Sequence, residues 1–154
     1  LSLAQLCLDH HEELDAEDWL RKAKKNATEY ELPECSRKEI RIRIALGENP
    51  RGPKVRQGDK RTPEGRYLLD YKKDRSNYYK AIHISYPNLD DLHRAKMLGV
   101  EPGNMVMVHG QPNRAKDKSV QRSNWTDGCI ALLNQDMEEF WHLVEPGTPI
   151  EIRP

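Results

Sequence analysis

Cys129 stands between Gly128 and the apolar run Ile130-Ala131-Leu132-Leu133, directly after Thr126-Asp127. A thiol at the junction of a loop and a short buried strand is both rigidly held and reachable, as a nucleophile must be. It is equally a place where a small cysteine packs inertly. His109 closes a second apolar run, Met105-Val106-Met107-Val108, and is followed by Gly110. If the two strand ends lie side by side, the imidazole can take the thiol proton and leave a thiolate. Backbone N–H groups at Asp127, Gly128 and Cys129 can then form an oxyanion hole, for which a glycine beside the nucleophile leaves room. Taken alone, His109 also reads as a strand-end histidine bonded to a carbonyl.

The elements that must position this pair follow from periodicity. In "KEIRIRIAL", Ile40, Ile42 and Ile44 alternate with Arg41 and Arg43, the pattern of a half-buried strand. Further strands are expected at 66–72, 79–85, 105–109, 129–133 and 149–153, with short helices at 90–98 and 135–144. Between them lie turn-rich loops, the longest being "GENPRGPKVRQGDKRTPEG". Residues 2–26 read as two helical pieces, the second capped by Asp15 and ending in Lys22, Lys24 and Lys25. The expected organisation is a helical segment over 1–36 and a strand-rich domain over 37–154, of mainly β or α+β class with peripheral helices.

The sequence has 154 residues, 36% hydrophobic and 32% charged, enough for one domain with a real core. Its formal charge of +0 argues against a nucleic-acid partner. With no run of 18 apolar residues, no transmembrane segment is expected. The chain opens without an initiator Met or a basic-then-apolar leader, which reads as a mature or trimmed form with its signal sequence absent. Basic side chains gather in two loops: Arg51, Lys54, Arg56, Lys60 and Arg61, and then Arg114, Lys116, Lys118 and Arg122. They read either as solvated loops or as attraction for a carboxylate-bearing ligand. Cys7, Cys35 and Cys129 fit neither a zinc ribbon nor a disulfide-dense scaffold, although Cys7 and Cys35 can pair in an oxidising compartment. Cys7, His10 and His11 share a helical face but lack a fourth ligand, so no metal site is assigned. His83 and His142 read as structural; Trp125 and Tyr86 read either as lining of the site or as core.

His109-Gly110, followed across a polar loop by "TDGCI", resembles the catalytic signature of the YkuD-type L,D-transpeptidase family. The segment "ALGENPRGPKVRQGDKRTPEGRY" is similar to the family's entry segment, and "ISYPN", "MVMVHG" and "GTPIEI" follow in the family's order, so that the likeness covers about residues 40–153. It implies a mixed β-sheet sandwich with short peripheral helices and acyl transfer on bacterial peptidoglycan stem peptides. Cys129 would attack the carbonyl of the third stem residue and form a thioester. His109 would act as base and then acid, oriented by the Gly110 carbonyl, while Thr126 would hold the loop. Arg122, Trp125 and Tyr86 are the candidate substrate contacts. Hydrolysis of the same bond, as an L,D-carboxypeptidase or amidase, and a non-catalytic wall-binding module are the alternatives. No cofactor is implied. The implied location is the periplasm or cell envelope, with stem peptides as partners and a wall-linked lipoprotein as a further one.

Three departures from the family pattern stand out. Asp127 occupies a position often held by His, and is either an exposed loop acid or a third member orienting His109. Ala131 stands where Asn or Arg is frequent, which leaves the acyl acceptor open. A charged helical segment stands where the usual opening strand hairpin is expected, and reads either as its substitute or as a sign that some residues of the hairpin are missing.

Overall fold

In the computed structural model, which describes residues 3–6, 40–117 and 121–154, the elements run in the order β1 (Leu3–Leu6), β2 (Ile40–Arg43), β3 (Gly65–Lys73), β4 (Ala81–Ile84), α1 (Leu89–Leu98), β5 (Met107–His109), β6 (Ile130–Ala131), α2 (Asn134–Leu143) and β7 (Thr148–Ile152). The strands β1 and β2 form a two-stranded sheet. The helix expected from residue 2 is thereby corrected over 3–6, because strand pairing overrides the weak local preference of so short a stretch. The other N-terminal readings, including the Asp15 cap, the helical segment to residue 36, Cys7, Cys35, His10 and His11, lie outside the described residues. Two compact units divide the chain, Ile42–Pro154 with Leu1–Ala4, and Gln5–Arg41. The candidate site lies in the first.

The second sheet has the order β6-β5-β4-β3-β7. Alternation sets its faces: along β3, Tyr67 and Leu69 are buried while Arg66, Leu68 and Asp70 are exposed. The central strands β4 and β5 are buried nearly throughout, as strands covered on both faces must be. Three of the four pairings are antiparallel; β5 and β6 are parallel. A parallel neighbour needs a long return connection, and the polar loop over 110–129 supplies it. On its other side Ala131 exchanges both backbone hydrogen bonds with Ala45, each 2.8 Å, so β6 is enclosed despite its two-residue length.

Three expected strands are shorter than alternation predicts, each for a local backbone reason. Met105 has φ +58° and breaks the extended run before Met107; Lys80, at φ +45°, does the same before Ala81. Beyond Ala131 the Leu132 N–H still reaches the His109 carbonyl at 2.8 Å, but Leu133 already caps α2. Helix α1 starts in a capping box: the Asn88 side chain accepts from the Asp91 N–H at 3.0 Å, and the Asp91 carboxylate accepts from the Asn88 N–H at 3.1 Å. Gly99, at φ +64°, ends it.

Ile82, Ile84, Val108, Leu69, Met137, Phe140 and Val144 are among the most buried side chains, so α2 contributes Met137 and Phe140 to the core. Phe140 is 2% exposed. Its replacement by Ala should lower unfolding stability by about 3–5 kcal/mol, as measured by urea denaturation. A loss under about 1 kcal/mol would show that α2 is anchored otherwise.

Candidate active site

The parallel register decides which side chains meet. Val108 pairs with Ile130, and His109 with Ala131. Since side chains alternate along a strand, carrying the register back one residue puts Cys129 level with Met107 and on the same face of the sheet as His109. The backbone confirms that level, because the Met107 N–H donates to Cys129 Sγ at 3.4 Å. The thiol in turn donates to the Met105 carbonyl at 3.8 Å, a carbonyl aimed there from the left-handed conformation of Met105.

His109 is 2% exposed, and its Nδ1 lies 2.7 Å from the Gly110 carbonyl oxygen. A carbonyl can only accept, so Nδ1 carries the proton and the neutral ring presents Nε2 as a lone pair. The carbonyl is itself held by its neighbours. The Gly110 N–H donates to the Tyr79 carbonyl at 2.8 Å, and a Cβ on Gly110 would lie 2.8 Å from both that oxygen and Asn134 Oδ1. The Tyr78 ring stacks on the imidazole at 4.1 Å between centroids, and Trp125 meets it edge-on at 5.8 Å.

Burial pushes His109 below its ordinary value, with the Gly110 bond pulling it partly back. Burial pushes the Cys129 thiol up; the Met107 N–H and Lys54 oppose that shift, and Asp127 adds to it. Both displacements favour the uncharged forms, so thiol and imidazole rest as a neutral pair.

The loop before Cys129 is fixed by Thr126, whose buried hydroxyl donates to the Cys129 carbonyl at 2.7 Å and accepts the Gly128 N–H at 3.2 Å. Through its backbone Thr126 is bonded to Leu46 and Glu48, which joins the nucleophile loop to the segment after β2. Gly128, at φ +134°, packs against the Arg61 carbonyl: a Cβ there would stand 2.5 Å from that oxygen. Any side chain would force the two loops apart.

Among the residues singled out from sequence, the fold groups Cys129, Thr126, Gly128, His109, Gly110 and Trp125. Asp127 is exposed beside them; the Gly110 carbonyl already occupies His109 Nδ1. Arg122 is exposed and lines an open depression with Gln111, Gln121 and Trp125. Arg114 and Lys116 are exposed, while Lys118 lies outside the described residues. Tyr86 does not join the group. It is 3% exposed, packs on Tyr67 and donates to the Pro102 carbonyl at 3.0 Å. His83 and His142 pair with Asp70 and Glu138 at the surface.

Two members were missed. Tyr78 covers the imidazole, and nothing in its polar surroundings, "DRSNYYK", marks it out. Lys54, read either as a solvated loop charge or as attraction for a carboxylate-bearing ligand, is 5% exposed, and its Nζ forms a 2.9 Å ion pair with Asp59. The glycines and proline around it were the available signal of a tightly folded loop.

A family model described as the L,D-transpeptidase catalytic domain, YkuD, matches residues 22–152. The chain belongs to this family. It is 34% identical over 112 residues to YafK of Escherichia coli strain K12, which carries the L,D-transpeptidase name; the alignment covers 67% of this chain and 39% of YafK. Among solved structures it resembles Bd1075 of Bdellovibrio bacteriovorus, with TM-score 0.54 and 25% identity over 75% of this chain and 39% of that one. It also resembles Pgp2 of Campylobacter jejuni, described as a helical cell shape determining protein, with TM-score 0.53 and 27% identity over 76% of this chain and 42% of that one. The YkuD chain thus spans about two-fifths of the relatives it matches.

Gly128→Ala provides a direct check of the loop contact in this YkuD domain. The added methyl should cost several kcal/mol through the clash with Arg61 and the strained φ, or else displace the loop. A thermal midpoint within about 1 °C of the wild type would contradict the close approach.

Proposed function

We propose that this YkuD domain transfers acyl groups on bacterial peptidoglycan stem peptides through a thioester at Cys129. The single observation supporting this reading is the β5–β6 register, which aligns the thiol and the imidazole on one face beside a glycine-containing turn. In the proposed reaction Cys129 Sγ attacks the carbonyl of the third stem residue as its proton passes to His109 Nε2. The tetrahedral oxyanion is met by the N–H groups of Asp127 and Cys129, that of Gly128 being engaged by Thr126, and its collapse expels D-Ala, whose amine takes the proton from His109. An acceptor amine then loses a proton to His109, attacks the thioester and releases the thiol. Water in place of the amine gives carboxypeptidase action, and a wall-attached amide as donor gives amidase action on a lipoprotein-linked wall.

Gly110 positions His109 by its carbonyl, and Thr126 holds the turn. Arg122 and Trp125, at the rim of the open depression, are the proposed contacts for stem carboxylates and backbone; an Arg fork can bind a carboxylate with two parallel bonds. The proposed setting is the cell envelope, and the likeness to Pgp2 favours a part in cell-shape control. Among the described residues no helix is long and apolar enough to cross a membrane.

Incubation with tetrapeptide stems followed by mass spectrometry separates the outcomes: a 3–3 cross-link marks transpeptidation, a tripeptide marks hydrolysis, and a released Lys-bearing peptide marks amidase action. Cys129→Ala should abolish turnover with the fold retained, and His109→Ala should reduce it by roughly 10²- to 10⁴-fold. Full activity of Cys129→Ala would refute the assignment. The proton-accepting ring must be neutral, and burial lowers the pH at which it protonates. The rate should therefore fall on the acid side only below the ordinary value of 6.5. An acid limb centred above 6.5 would indicate a different base.

A further inference from the structure

A lysine in an exposed-looking loop rarely buries its ammonium without a partner. Lys54 does so against the nucleophile turn. Its Nζ donates to Asp59 Oδ1 at 2.9 Å and to the Arg56 carbonyl at 3.2 Å, and lies 3.6 Å from the point where a Cβ of Gly128 would stand. The loop has anchors besides this cation. Asp59 already accepts the backbone N–H groups of Val55 at 2.7 Å, Arg56 at 3.0 Å and Arg61 at 3.1 Å, which fold the segment back on itself. A buried ion pair is also a poor source of net stability, since desolvation consumes much of its attraction. Among the described residues the ammonium, which has three donors, makes these two hydrogen bonds while lying against Gly128.

We infer that Lys54 is an electrostatic positioning residue of the active site, its ammonium locked by Asp59 and the Arg56 carbonyl so that it favours the negative charge that forms on Cys129 Sγ and on the attacked carbonyl. This inference rests on the reading of Cys129 as nucleophile. Charge held rigidly in a water-poor site acts more strongly than the same charge in solvent and needs no reorganisation during reaction. The other groups facing Cys129 are His109, which rests neutral, and Asp127, which opposes Lys54 from the exposed side of the turn. Lys60, farther out, is taken up by Glu48 at 2.5 Å. Burial raises the thiol's proton affinity, and Lys54 acts against it.

The pH dependence of iodoacetamide alkylation at Cys129, followed by peptide mapping without substrate, tests this. Lys54→Met removes the charge at similar length and should move the alkylation midpoint up by roughly one unit, a tenfold slower reaction below the midpoint. Lys54→Arg should stay near the wild type, and Asp127→Asn should move the midpoint down. With stem peptide, Lys54→Met should lower kcat while leaving KM within about twofold. Should Lys54→Met alone fail to fold, Lys54→Met with Asp59→Asn removes both charges together, and the upward shift is still expected. An unchanged midpoint, or shifts of the same sign in Lys54→Met and Asp127→Asn, would overturn the inference by showing loop disturbance rather than charge. Wild-type turnover by Cys129→Ala would instead overturn the nucleophile reading, independently of the alkylation result.

Discussion

The parallel pairing of β5 with β6 is the constraint on which the rest of the site depends. Each strand is short, three residues and two, so the pairing is carried by what surrounds it. Ala45 fills the other edge of β6, and the Leu132 N–H reaches the His109 carbonyl. A slip of one residue would turn either His109 or Cys129 to the opposite face, because side-chain direction has period two. The enclosing bonds and the buried packing of Val108, Ile130 and Ala131 therefore specify chemistry as well as stability. The loop over 110–129 returns the chain and also carries Gly110, Trp125, Thr126 and Gly128 to the site.

A second layer fixes the reacting atoms within that register. Gly110 is small because the Tyr79 carbonyl and Asn134 approach it, and this close approach aims its own carbonyl at His109 Nδ1. Gly128 is small because the Arg61 carbonyl approaches it, and Thr126 then ties the turn internally. Burial lowers the proton affinity of the imidazole and raises that of the thiol. Both shifts favour the uncharged forms, so in the proposed reaction proton transfer accompanies attack. In the proposed reaction Lys54, buried against Gly128, favours the developing charge.

Much of this was legible in the sequence. Alternation and short apolar runs located β2 through β7, and the glycines beside His109 and Cys129 marked the two points where backbone had to come close. The ends of the strands were less legible, since nothing in "NMVMVHG" announces that Met105 takes a left-handed conformation, nor in "NYYKAIHI" that Lys80 does. Tyr86 read either as lining of the site or as core; its burial and its packing on Tyr67 place it in the core. Lys54 was left between a solvated charge and an attraction for a carboxylate ligand, and its burial was not legible. Composition counts a lysine among solvated charges, and only the fold of the loop around Asp59 reveals that it has been removed from water. Strand β1 shows the same limit, since its conformation is set by a partner far along the chain.

The central claim is that the acyl group passes through Cys129. Rapid acid quench of the protein during turnover of a tetrapeptide stem, followed by intact-mass measurement and peptide mapping, tests it most directly. The predicted result is a transient adduct of the stem lacking its terminal D-Ala, located on the peptide containing Cys129 and lost on treatment with hydroxylamine. Release of D-Ala with no adduct at any quench time, or an adduct carried by another residue, would contradict it.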